Sequence, residues 1–142
     1  MGDLNELDCR IYVEADLTAD ELAALLAGSL PGAATGGSVT RIIRVPSGEI
    51  EVRNNKEWDT FRAREFPDGF LYFRYTLEVY PFPATRHEDR VSLVANILNL
   101  LWSRGLPAVA ACDMEQELPN GGGYNNSAIP WPSKGTALSQ KT

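Results

Sequence analysis

Hydrophobic and polar residues alternate with period two over residues 8–15. Cys9, Ile11, Val13 and Ala15 fall on one face, and Arg10, Tyr12 and Glu14 on the other. That alternation predicts a half-buried strand. The pattern then changes to a helical one. Thr18 and Glu21 form a Thr-x-x-Glu capping box, Leu17 can staple to Leu22, and Leu22, Leu25 and Leu26 supply an apolar face. Pro31-Gly32 ends this helix at the latest. Residues 39–53 read as a hairpin turning at Pro46-Ser47-Gly48. Residues 60–66 read as a further strand, and Pro67-Asp68-Gly69 as a turn.

The longest predicted strand is 70–80. Leu71, Phe73, Tyr75, Leu77 and Val79 line one face; Phe70, Tyr72, Arg74, Thr76, Glu78 and Tyr80 line the other. Pro81 and Pro83 stop it, and a second capping box, Thr85-x-x-Glu88, opens a helix to about Arg104. Val91, Val94, Leu98, Leu101 and Trp102 keep helical spacing, and Leu93, Ile97 and Leu100 widen the stripe, so deep burial is expected. Gly105 is placed as its C-cap, with Pro107 beyond. Residues 108–116 form the last predicted strand. Beyond Pro119 the chain reads as loop through Gly121-Gly122-Gly123 and Pro130-Trp131-Pro132.

This order predicts an α+β fold. It has a mainly antiparallel four- to five-stranded sheet with two helices packed on one face, β-α-β-β-β-α-β, a ferredoxin-like variant. One domain is expected over 1–132, with a polar, flexible tail over 133–142. The second sheet face is then exposed, or sealed by the tail or a partner. A chain of 142 residues can bury roughly 68–70% of its unfolded surface. A core therefore needs no disulfide or metal.

Charge adds an asymmetry. Asp3, Glu6, Asp8, Glu14, Asp16, Asp20 and Glu21 face Arg10 alone in residues 1–40, which accounts for the whole net charge of −6. No basic cluster suggests nucleic acid or an anionic membrane as partner, while a basic protein suits this charge. Acidity that merely keeps the chain soluble is the plain alternative. No run of 18 apolar residues occurs, and the acidic start lacks the pattern of a secretory signal, so the cytosol is expected. Cys9 and Cys112 lie in apolar, strand-like segments without a Cys-x-x-Cys pair or nearby His, which reads as two buried free thiols.

The chemistry on offer is sparse. Asp113, Glu115 and Glu117 recur at every second position after the apolar run Ala108–Cys112. In an extended chain they form one acidic stripe with about 6.6 Å between neighbours. That spacing lacks the central glycine and curvature of a calcium loop. Alternating acids on one strand also diverge, whereas acid–base hydrolysis needs carboxyls that converge. The single histidine, His87, reads as an exposed residue of a helix cap. No nucleophile elbow, phosphate loop or zinc-protease motif is present. The expectation is a non-catalytic protein with no metal and no cofactor.

Two segments together, Phe70–Tyr80 (FLYFRYTLEVY) and Ile97–Trp102 through Gly105 to Ala110–Pro119, resemble small bacterial immunity proteins encoded beside polymorphic or contact-dependent toxins. The matching positions are mostly strand and helix core, and none transfers a family binding residue. The resemblance implies a cytosolic inhibitor that blocks one toxin domain by tight binding. The candidate partner-binding residues are Asp113, Glu115, Glu117, Glu14, Asp16, Tyr72, Arg74, Glu78 and Tyr80. Acids would steer a basic partner and aromatics would anchor it. Two alternatives stay open. One is an enzyme or ligand-binding domain with a pocket beside the Gly121–Trp131 loop, favoured if acids converge with His87. The other is a subunit that dimerises through its open sheet face.

Overall fold

The computed structural model describes residues 7–36 and 39–132. The expected tail, 133–142, lies outside them. Six strands form one antiparallel sheet: β1 (Cys9–Val13), β2 (Ala34–Gly36), β3 (Val39–Val45), β4 (Gly48–Asn54), β5 (Tyr75–Pro81) and β6 (Ala108–Ala111). Their order is β2-β3-β4-β5-β1-β6. Helix α1 (Ala19–Ser29) carries the chain from β1 to the edge strand β2, and α2 (His87–Ser103) carries it from β5 over β1 to β6. The α+β class and the antiparallel sheet are as expected. Among the described residues the sheet has six strands rather than four or five, because the short β2 escapes any periodicity test.

Local signals explain the helix ends. Thr18 Oγ1 accepts the Glu21 N–H at 3.1 Å, and Glu21 Oε1 accepts the Thr18 N–H at 2.9 Å, completing the first capping box. Gly105 follows α2 with φ of 75°, a left-handed conformation that an L side chain would strain. The second capping box does not form. Arg86 is the N-cap without a side-chain bond, and Thr85 Oγ1 instead donates to the Ser47 carbonyl at 2.8 Å. That bond ties the entry of α2 to the β3–β4 turn.

The main core lies between the sheet and both helices. Ile11, Val13, Ile43, Ile50, Leu77, Val79, Leu22, Leu26, Ile97, Leu98 and Leu101 are all buried there. A smaller cluster of Ala63, Phe73, Val109 and Ile129 sits on the opposite sheet face. It is roofed by residues of the 55–73 segment and of the stretch ending at Pro132, so this face is half sealed by the chain itself.

Three predicted strands are corrected. Residues 60–66 hold a single 3-10 turn, Arg62–Arg64. The strand expected over 70–80 begins only at Tyr75, because Asp68–Tyr72 is also 3-10. The strand expected over 108–116 ends at Ala111, and Glu115–Glu117 is a 3-10 turn. In each case edge or loop packing overrides an alternation that is real in the sequence but not used by a neighbour.

Candidate functional site

The acidic stripe is dismantled by the end of β6. Glu115 turns back so that its Oε2 accepts the Cys112 N–H at 3.1 Å, satisfying a backbone donor the sheet leaves free. Glu117 meets His87 Nε2 at 2.9 Å. Asp113 is exposed. Instead of one row, Asp113 and Glu117 line a hollow of about 460 Å³ together with Asp8, Thr85, His87, Arg90 and Met114. Arg90 Nη1 lies 3.6 Å from Asp8 Oδ1, while Asp8 Oδ2 is buried without a hydrogen-bond partner among the described residues. His87 is exposed in the first turn of α2, as its place in the sequence suggests, but its pairing with Glu117 is not visible there. Among the described residues, no three His, Cys, Asp or Glu side chains are grouped to hold a metal ion.

The part of the second sheet face left open by the smaller cluster is polar. Glu78 is only 8% exposed, yet it points to this side. Its Oε2 accepts from Arg10 Nε and lies near Arg10 Nη2, both at 3.0 Å, and its Oε1 accepts from the Tyr80 hydroxyl at 2.8 Å. Burial, then the adjacent Glu78 carboxylate, push the Tyr80 hydroxyl up to about 12. Arg44–Glu49 at 3.1 Å and Arg53–Glu51 at 3.7 Å continue the lattice of pairs across β3 and β4. Glu78 and Tyr80 therefore hold each other in place.

Glu14 is half-buried and accepts the Arg74 N–H through Oε1 at 2.9 Å. Burial raises its carboxyl above the ordinary range, and Asp16 adds to the rise, while the bond and charge of Arg74 oppose it. Asp16 itself is exposed.

Between β4 and β5 the chain leaves the sheet and returns. Asn55 closes the neck of this insertion, donating through Nδ2 to the carbonyls of Leu71 at 2.9 Å and Phe73 at 2.7 Å. Inside it, Arg74 lies 4.7 Å above the Trp58 ring and Arg62 lies 5.2 Å above Tyr72. Phe70 packs edge-on against Tyr12 and Tyr124, and Trp131 against Phe66 and Phe73. The outer side remains apolar: Trp58, Phe66 and Leu71 are exposed, and Phe61 is 70% exposed. Tyr124 is exposed beside them and donates to Asp68 Oδ1 at 2.7 Å.

The nine candidate residues thus do not form one surface. Asp113 and Glu117 face the hollow, Glu78 and Tyr80 the polar sheet face, and Glu14, Tyr72 and Arg74 the insertion. The sequence pattern placed Leu71 in the strand expected over 70–80, and Phe61 and Phe66 in the one expected over 60–66, so their exposure was not foreseen. A signal for Phe61 and Phe66 was present: large apolar residues with neither period two nor period 3.6, interleaved with Arg62 and Arg64.

Among the described residues, no helix is long and apolar enough to cross a membrane. Comparison with protein-family models, with curated proteins and with solved structures gives no match for this chain.

Proposed function

We propose that this is a non-catalytic binding protein of the cytoplasm, an immunity protein that neutralises a basic toxin domain by docking through its aromatic insertion. The observation that carries this reading is the gathering of Trp58, Phe61, Phe66 and Leu71, all exposed, on one braced segment. Exposed apolar patches mark interaction sites, and Trp, Tyr and Arg are the side chains that anchor interfaces. Arg64 lies over Phe61, Arg74 over Trp58 and Arg62 over the neighbouring Tyr72. The net charge of −6 favours a basic partner and speeds encounter.

Co-expression with the product of the neighbouring gene tests the proposal. Protection of the cells and a complex on a sizing column support it; loss of both removes it. Phe61→Ala and Trp58→Ala should each weaken that complex by about 2 kcal/mol if these rings are anchors.

A second reading has its own observation. His87, Glu117, Asp113, Asp8 and Arg90 converge on the hollow of about 460 Å³, as a small ligand-binding or catalytic site would need. Failure of every complex, combined with a small molecule that protects His87 from chemical modification, would favour it. A dimer in solution through the aromatic segment would favour self-association instead.

A further inference from the structure

Cys9 and Cys112 are far apart in sequence and adjacent in space. Their sulfurs lie 2.8 Å apart and both thiols are free. The pairing follows from sheet register. Arg10 opposes Ala111 and Ile11 opposes Ala110, so Cys9 faces Cys112 one step beyond the end of β6. The Glu14 N–H donates to the Pro107 carbonyl at 3.0 Å, which makes Glu14 opposite Pro107 a hydrogen-bonded position. Counting along the strands by twos, Tyr12 opposite Val109 and Arg10 opposite Ala111 are hydrogen-bonded as well. Cys9 opposite Cys112 is then a non-hydrogen-bonded position, where facing Cα atoms come within about 4.5 Å. That separation lies within the span a disulfide bridges.

The two thiols differ in setting. Cys9 is buried in the main core, whereas Cys112 is partly exposed and precedes Asp113, which lines the hollow. The hydrogen bond from Cys9, and after it one from the Met114 N–H, hold the Cys112 thiol below its ordinary range, while burial, Glu115 and Asp8 oppose this. The Cys9 thiol is pushed up, first by that same bond, then by burial, with the charges of Asp8 and Glu115 adding to the rise. Cys112 is therefore the residue of the pair that a reagent reaches first, and Cys9 lies behind it.

We propose that Cys9 and Cys112 are a redox site: a dithiol that a small aliphatic disulfide converts into an intramolecular cross-strand disulfide. The Cys112 thiolate attacks one sulfur of the small disulfide, whose S–S bond breaks and whose second half leaves as a thiolate that takes up a proton. The Cys9 thiol then gives up its proton and attacks Cys112 Sγ in the mixed disulfide. A new S–S bond forms and the second small thiol is released. Two protein thiols and one small disulfide become one protein disulfide and two small thiols, so atoms and electrons balance. The product staples the edge strand β6 to its neighbour β1, where the chain leaves the sheet for His87's partner Glu117.

The test uses the whole protein and oxidised glutathione, with intact mass and free-thiol counting under native conditions. The expected result is loss of both free thiols in the wild type, with no glutathione retained and reversal by a dithiol reductant. Cys9→Ala should trap one glutathione on Cys112, and Cys9→Ser provides the same reading should the alanine variant fold poorly. Cys112→Ser should leave Cys9 unreactive until denaturant is added. Retention of glutathione on wild-type Cys112, or two thiols that stay reduced while folded and react only when unfolded, would overturn the proposal.

Discussion

Arg10 and Glu78 pair across β1 and β5 with Nε to Oε2 at 3.0 Å, on the sheet face turned away from α1 and α2. The carboxylate is nearly buried while the arginine reaches solvent. This asymmetry sets the expected outcome of substitution. Glu78→Ala removes the acceptor shared by Arg10 and the Tyr80 hydroxyl, and should cost about 1–3 kcal/mol. Replacing both charges, as in Arg10→Met with Glu78→Leu, should recover most of that loss. Urea denaturation of the two single variants and the double variant checks this. A double variant no better than Glu78→Ala would show that the pair is not the source of the cost.

Burial, and after it the same carboxylate, delays the ionisation of Tyr80. The folded Tyr80 hydroxyl titrates at about 12 against an ordinary value of 10.0. The folded state therefore keeps a proton that the unfolded state loses. The associated stability is fully present below pH 10 and disappears as pH rises from there towards 12. Ultraviolet titration should show a late tyrosinate component that is missing in Tyr80→Phe, and an unaltered titration curve would place the late component elsewhere.

Glu14 works in the opposite sense to an ordinary surface acid. Its folded carboxyl lies above the ordinary value of 4.5, chiefly through burial. The folded state then binds more protons than the unfolded one just above that value, so stability contributed there is lost as pH rises through the folded titration. Glu14→Gln keeps an oxygen for the Arg74 N–H and removes the charge. Thermal melting should show the variant more stable at pH 7, with the gain shrinking towards pH 4. A gain that grows on acidification would contradict the burial argument.

Gly69 sits where the two 3-10 turns of the aromatic insertion touch. A Cβ there would stand 2.6 Å from the Ala63 carbonyl oxygen and 2.7 Å from that of Arg62. Gly69→Ala should cost about 1–3 kcal/mol by forcing the turns apart. Trp131 donates to the Arg64 carbonyl at 3.0 Å, so tryptophan emission should shift while the sheet signal in circular dichroism stays. Unchanged emission and stability would mean the two turns can separate freely.

Leu98 and Phe61 form a contrasting pair. Leu98 is fully buried under α2, and Phe61 is 70% exposed. Leu98→Ala should cost about 2–5 kcal/mol, and Phe61→Ala about 0.5 kcal/mol or less. Denaturation midpoints report both. Equal effects would sink the separation between core and candidate contact surface.

Much of the fold is legible in single segments. The alternation of β1 survives as Cys9, Ile11 and Val13 inward with Arg10 and Tyr12 outward. Thr18 and Glu21 cap α1, and Gly105 ends α2, because each signal involves residues within one turn of each other. Alternation misled where no strand lay alongside to use it. Phe70 and Tyr72 alternate with Leu71 and Phe73, yet they curl into a 3-10 turn whose rings pack on Tyr12 and under Arg62. Asp113, Glu115 and Glu117 alternate as well, but β6 is an edge strand that ends before them.

The sequence by itself determined the class: two amphipathic helices, strands with one apolar face, and an acidic balance concentrated at the start. These are local properties, since period and capping record which side of one element meets water. Only the tertiary structure decided the pairs that could act. His87 reaches Glu117 across 30 residues and Cys9 reaches Cys112 across 103. Both depend on β1 threading between β5 and β6, and on α2 crossing over it, a choice of strand order that no local periodicity encodes. The exposed rings of the 55–73 insertion follow the same rule. Whether an aromatic side chain becomes core or contact surface is settled by what the rest of the chain places over it.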